Sequence, residues 1–283
     1  MNKVTACIDG SKISASVCDA AAWVSQSLDC PVKLLHVLER MNLPLNENLS
    51  GAIGLGSREH LLAEMTRLDE ERSKLALEHG RQMLDDARLR LEQQGIRDIQ
   101  LKQRHGQLLE ALLDCEAETR VFVMGRLGED HELQAQVIGS HLENVVRGIK
   151  TPILVTVGEF SKPATYMIAY DGSSTANEAI ARFAQSPLLK ELPGQLVMVA
   201  ADTEEHRAQL ENAASMLQKA GRKMHAHLIQ GVVQEQLSHF RQEQGIDLMV
   251  MGAYGHSRLR EFFVGSQTSK MIASSPVSLL LLR

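Results

Sequence analysis

The chain has 283 residues, 44% of them hydrophobic and 23% charged, which is enough to bury two cores of ordinary domain size. Its formal net charge of −5 argues against a general affinity for nucleic acid or anionic membranes, because such binding depends on clustered cations. No apolar run approaches the roughly 20 residues of a membrane span, and the cysteines and histidines show no metal-ligand spacing, so we expect a cytoplasmic protein with reduced thiols and no metal site.

Short apolar runs alternate with helical periodicity from the first residues onward. In the first half of the chain this pattern predicts strands near 3–8, 32–38, 98–103, 120–125 and 152–157. It predicts helices near 13–27, 58–94, 107–117 and 139–148. Strands that alternate with helices indicate crossover connections and a parallel sheet with helices on both faces.

The second half repeats the order of parts found in the first. It has predicted strands near 164–170, 195–200, 224–229, 247–251 and 277–282. An Asp-Gly-Ser follows the first strand of each half, a glycine ends each fourth strand, and a Gly-Ser comes before each last helix. The repetition predicts an α/β protein of two tandem, doubly wound, five-stranded parallel-sheet domains, residues 1–158 and 163–283, joined by a short polar link.

Two residues in each half follow strands that should be neighbours at the switch point of a doubly wound sheet. Asp9 and Asp171 come after the first strands, and Gly125 and Gly252 come after the fourth strands. Ligands of open parallel sheets bind at this edge. A carboxylate here accepts hydrogen bonds from ribose hydroxyls, and a glycine opposite lets a sugar or base approach the backbone.

A glycine-rich loop follows the fourth strand of the second half. Nine residues separate Gly255 from Gly265, and Ser266 then opens a helix. Free backbone N–H groups and the helix dipole at such a position favour a phosphate group. The near-copy in the first half consists of Gly128, Gly139 and Ser140.

This loop resembles the ATP-binding loop of the universal stress protein family, and the resemblance extends over the whole chain as two successive family domains. It implies that the two domains pair through their last strands. It also implies that the aspartate and the first glycine contact ribose, that a backbone position at the end of the second strand contacts adenine, and that the remaining glycines and the serine hold phosphates. The implied second-half set is Asp171, Val199, Gly252, Gly255, Gly265 and Ser266, and the first-half set is Asp9, Val37, Gly125, Gly128, Gly139 and Ser140.

The first half departs from this pattern in its loop. Ten residues separate Gly128 from Gly139, and Glu129, Asp130 and Glu132 lie among them. Three carboxylates repel a triphosphate. We therefore expect the nucleotide in the second half.

Together these features predict a stress-response protein that binds ATP or a related adenine nucleotide, alone or with Mg²⁺, and responds by changing its contacts with a protein partner. No positioned general base is evident in the sequence, so any hydrolysis of ATP is expected to be slow. The main alternative is a stress-induced scaffold that binds no nucleotide. An adenylating enzyme and a flavoprotein of similar architecture are less consistent with the sequence, which lacks the HxGH and SGGxDS loops of the former.

Overall fold

The computed structural model describes residues 2–38, 55–126, 140–252 and 267–283. The predicted alternation of strands and helices is confirmed in both halves. The first half contains β1 (Lys3–Cys7), α1 (Ser14–Leu28), β2 (Val32–Leu38), α2 (Leu55–Gln93), β3 (Ile99–His105), α3 (Leu108–Glu116), β4 (Thr119–Gly125), α4 (Ser140–Gly148) and β5 (Ile153–Thr156). The second half contains β6 (Tyr166–Tyr170), α5 (Ser174–Ala184), β7 (Gly194–Val199), α6 (Glu204–Lys219), β8 (Met224–Ile229), α7 (Val233–Glu243), β9 (Leu248–Gly252), α8 (Gln267–Ser274) and β10 (Ser278–Leu282).

The strands form one ten-stranded sheet in the order β3-β2-β1-β4-β5-β10-β9-β6-β7-β8. Each half contributes five parallel strands with its first strand between the second and the fourth. The two halves meet through their last strands, β5 and β10, which pair antiparallel. The chain is therefore a pseudo-dimer of two doubly wound units that share a sheet, in agreement with the predicted fold class.

The β5–β10 junction is made of apolar residues buried on both faces of the sheet. Leu280 lies opposite Leu154, with Leu279 opposite Val155 and Leu281 opposite Ile153. All six are at most 3% exposed. Continuous apolar runs of this kind are typical of strands covered on both sides, because no face of such a strand meets water.

Helices cover both faces of the shared sheet. Helices α1, α2, α5 and α6 pack on one face, and α3, α4, α7 and α8 pack on the other. The apolar cluster on each face includes side chains from both halves. None of the described helices combines the length and the apolar character that a membrane span requires, and the four cysteines are free thiols.

Polar contacts across the junction supplement the apolar pairing. The guanidinium of Arg283 donates to the carbonyl oxygens of Val146 and Arg147 at 2.5 and 2.9 Å, near the end of α4. Carbonyl groups in the last turn of a helix have no partner inside the helix, and a cation there is also favoured by the helix dipole. The C-terminal residue of the second half thus caps a helix of the first half.

A carboxylate and two ammonium groups join the starts of β1, β2 and β4. Glu118, just before β4, accepts hydrogen bonds from Lys33 and Lys3, the latter at 2.9 Å. Lys33 is 5% exposed. These two ammonium groups, Lys33 first, lower the pKa of Glu118 from 4.5 to about 2. A buried cation without a counter-ion is costly. Because Lys33 is buried, the Glu118 carboxylate therefore contributes to the stability of the fold.

We predict that Glu118→Gln lowers the free energy of unfolding by about 1 kcal/mol at pH 7, a value reduced because Glu118 is partly exposed to screening water. The folded pKa of Glu118 lies below its unfolded value, so its contribution is present above about pH 4.5 and is lost as the pH falls towards 2. Urea denaturation from pH 7 to pH 2.5 should show the gap between wild type and variant closing. Glu191→Gln, at an exposed position, is the control. A gap that is constant across this range would contradict the assigned pairing.

Candidate functional site

The strand order brings three of the predicted second-half residues to one edge of the sheet. In the register of β6, Tyr170 lies opposite Met198 of β7, and Ala169 lies opposite Met251 of β9. The residues that follow these positions are Asp171, Val199 and Gly252, so they surround the switch point between β6 and β9. The first-half residues Asp9, Val37 and Gly125 hold the corresponding places around β1.

Asp171 occupies a tight turn between β6 and α5. Gly172 has a φ of +75°, a conformation that a residue with a Cβ adopts only with strain. The Oδ1 atom of Asp171 accepts a hydrogen bond from the backbone N–H of Ser173 at 3.0 Å, and no other described group donates to this carboxylate. Ser173 in turn caps α5, because its hydroxyl accepts from the N–H of Ala176 at 3.1 Å. The exposed Asp171 carboxylate therefore keeps acceptor capacity for a further donor.

Asp9 lies in the same kind of turn but uses its carboxylate differently. Its Oδ1 atom accepts from the backbone N–H of Ser11 at 3.0 Å, from the Ser11 hydroxyl at 2.7 Å and from the Ser14 hydroxyl at 3.1 Å. Ser11 is 7% exposed, and Asp9 itself is half-buried. In this half the carboxylate holds the start of α1 in place.

The distinction between the two aspartates has a sequence counterpart that the repeat comparison overlooked. Ser14 lies five residues after Asp9, and Ala176 lies five residues after Asp171. The second half thus lacks one of the hydroxyl groups that occupy the first-half carboxylate. Asp9 and Asp171 hold equivalent positions in the repeat, whereas the structure gives them different hydrogen-bond partners.

Gly252 ends β9 with its backbone open on one side. A Cβ added at this position would meet no described atom within 4 Å, and the residue is exposed. In the first half, the residue after Gly125 is Arg126, whose guanidinium donates to the carbonyl oxygen of Ser275 at 2.5 Å. Burial lowers the pKa of Arg126. The start of the first-half loop is thereby tied to the turn before β10, a contact between the halves that no motif in the sequence predicts.

Helix α2 packs closely over the end of β2 in the first half. His36 is 5% exposed, and its Nδ1 atom donates to the carbonyl oxygen of Ile8 at 2.7 Å. A Cβ on Gly80 of α2 would lie 2.6 Å from the His36 ring, so only a glycine allows the helix this close.

The remaining predicted positions are those that the sequence pattern assigns to the phosphates. Gly255, Gly265, Ser266, Gly128 and Gly139 lie outside the described residues. The backbone of Ser140 begins α4, and that of Gln267 begins α8. Among the described residues, no group of three or more His, Cys, Asp or Glu side chains is arranged to hold a metal ion.

A cleft of about 380 Å³ opens elsewhere, beside the link between the halves. Phe160, Arg241 and Val277 are among its lining residues. Leu248 and Ser278, which begin β9 and β10, also line it, so it lies at the edge of the second half opposite to Asp171. The cleft is therefore separate from the candidate site.

Comparisons with known proteins agree on one family. The model of the universal stress protein family matches residues 1–156 and 165–283. Universal stress protein Slr1230 of Synechocystis sp. is 32% identical over 287 residues, covering 100% of both chains. A crystal structure of a universal stress protein from Archaeoglobus fulgidus covers 100% of this chain and 96% of its own, with a TM-score of 0.70 at 18% identity. A putative universal stress protein from Pseudomonas aeruginosa covers 100% and 93%, with a TM-score of 0.62 at 12% identity.

The unequal hydrogen bonding of the two aspartates predicts unequal structural roles. Asp9→Ala should lower the free energy of unfolding by about 2 kcal/mol, because it leaves the buried Ser11 hydroxyl and two further donors without their acceptor. Asp171→Ala removes a single exposed hydrogen bond and should cost less than about 1 kcal/mol. Urea denaturation of the two variants measures both values. Equal losses, or a larger loss for Asp171→Ala, would contradict this distinction.

Proposed function

The chain belongs to the universal stress protein family, and on that premise we propose that it binds ATP or a related adenine nucleotide at the switch point of its second half. The bound nucleotide makes it a nucleotide-responsive regulatory or protective protein of the stress response. A cytoplasmic location and a protein partner are further expectations from the sequence.

The observation that carries the proposal is the difference between the two carboxylates. Asp171 is exposed at the switch point and, among the described residues, accepts one hydrogen bond, whereas Asp9 accepts three. A ribose offers two adjacent hydroxyl donors, which suit a carboxylate with free lone pairs. The same ligand at Asp9 would have to compete with Ser11 and Ser14. This comparison favours the second half on grounds independent of its glycine loop.

The surrounding residues fit the nucleoside part of such a ligand. Gly252 is open on the side where an added Cβ would project, so a sugar can approach the backbone there. Val199 ends β7 beside Asp171 and offers backbone groups to the base. We assign the phosphates to Gly255, Gly265 and Ser266 from the sequence pattern, with Mg²⁺ carried on the phosphate oxygens. Hydrolysis, if present, is slow in this account, because Asp171 is assigned to the ribose and not to a water molecule.

The second candidate function is that of a scaffold that binds no nucleotide. Two features of the first half favour this function. Its carboxylate is occupied by its own serines, and Arg126 is bound to Ser275. Both features are expected of a domain with a purely structural role, because these polar groups are engaged in internal hydrogen bonds. If the second half behaved in the same way, the family fold would serve as a binding surface for proteins alone.

We predict that wild type binds one ATP per chain in titration calorimetry. Gly252→Val should weaken binding at least tenfold, because its side chain occupies the space left for the sugar. Asp171→Ala should weaken binding by about tenfold or more, the usual effect of losing hydrogen bonds to a charged group. Circular dichroism should show both variants folded, since the position of Gly252 is open.

Gly125→Val is the matched control at the corresponding first-half position, and it should leave the affinity and the stoichiometry unchanged. Two ATP molecules per chain would show that the first half also binds. Undiminished binding by Gly252→Val and Asp171→Ala would reject the site. A wild-type protein that releases no nucleotide and gives no heat with ATP would favour the scaffold.

A further inference from the structure

The amide of Gln209 lies directly over the turn that carries Asp171. Gln209 belongs to α6 and is half-buried. A Cβ added to Gly172 would overlap its Oε1 atom and would lie 3.0 Å from the methyl group of Met198, near the end of β7. The amide oxygen and the Met198 methyl group therefore both lie close to the turn that carries the carboxylate assigned to ribose.

The first half has an apolar side chain at the corresponding place. Gly10 follows Asp9 as Gly172 follows Asp171, and a Cβ on Gly10 would overlap the sulfur atom of Met83 from α2. A thioether accepts hydrogen bonds only weakly and donates none, whereas a carboxamide does both. The two halves thus differ in chemistry at one equivalent position beside the switch point.

The Gln209 amide is only weakly engaged in its present orientation. Its Nε2 atom donates to Glu205 at 3.4 Å, at the long limit for a hydrogen bond. Exchanging that contact for a ligand costs little free energy, because exposed side-chain hydrogen bonds compete with water. The side chain can accordingly turn its donor and acceptor towards a molecule held by Asp171.

We infer that Gln209 is a specificity-determining residue of the second-half site and reads the base of the nucleotide. This inference rests on the proposed function. A carboxamide matches the adjacent donor and acceptor of adenine in a bidentate pair, whereas guanine presents two acceptors at the corresponding edge. Gln209 therefore favours adenine nucleotides over guanine nucleotides. Met83, at the corresponding place in the first half, cannot form this bidentate pair.

The test compares the dissociation constants of ATP and GTP for wild type, Gln209→Met and Met83→Gln. Gln209→Met copies the first-half side chain into the second half at nearly constant volume. It should weaken ATP binding about tenfold and leave GTP binding nearly unchanged, so that the ATP-to-GTP preference falls about tenfold. Met83→Gln, the reciprocal control, should change neither constant. Thermal unfolding of each variant confirms that it is folded.

The outcomes separate this inference from the proposed function. If wild type prefers ATP and Gln209→Met retains both the affinity and the preference, the inference is overturned and the site assignment stands. An equal loss of ATP and GTP binding in Gln209→Met would also overturn it, because that result indicates a role in shaping the site and not in reading the base. A wild-type chain that binds neither nucleotide overturns both.

Discussion

Three antiparallel residue pairs between β5 and β10 determine how the two halves of the chain relate to each other. The pairing joins ten strands into one sheet and buries both last strands, which leaves neither with an exposed edge. Because the pairing is antiparallel, the carboxyl ends of the two sets of strands point to opposite edges. Each switch point therefore lies at the edge where the strands of the other half begin. This geometry explains why Arg126, at the first-half switch point, reaches Ser275 in the turn before β10.

The two halves of the chain differ in the side chains around their switch points, although their backbones follow the same order of strands and helices. The first-half carboxylate is occupied by serine side chains, and its turn is covered by a thioether. The second-half carboxylate is open, and its turn is covered by an amide. Duplication followed by such divergence allows one copy to supply stability and the other to supply a binding site. The fold alone does not distinguish these roles, because the same architecture supports many functions.

The sequence predicted the architecture well because strand and helix periodicity, repeated twice, leaves few arrangements. Asp171, Val199 and Gly252 lie around one switch point, because parallel strands bring their carboxyl ends to one edge. The unequal bonding of Asp9 and Asp171 was missed, although the change from Ser14 to Ala176 is visible in the repeat. Gln209 and Met83 were beyond sequence reasoning. They lie on helices of 16 and 39 residues, so the repeat offers no register in which to align them.

Hydrogen exchange with mass spectrometry, with and without ATP, tests most directly the claim that the two switch points are unequal. The account predicts slower exchange on adding ATP in peptides that contain Asp171 to Ser173 and the ends of β7 and β9. Peptides that contain Asp9 to Ser11 should exchange at the same rate in both conditions, because that turn is held by its own side chains. Equal protection of both turns would contradict the account, and so would protection of the first-half turn alone.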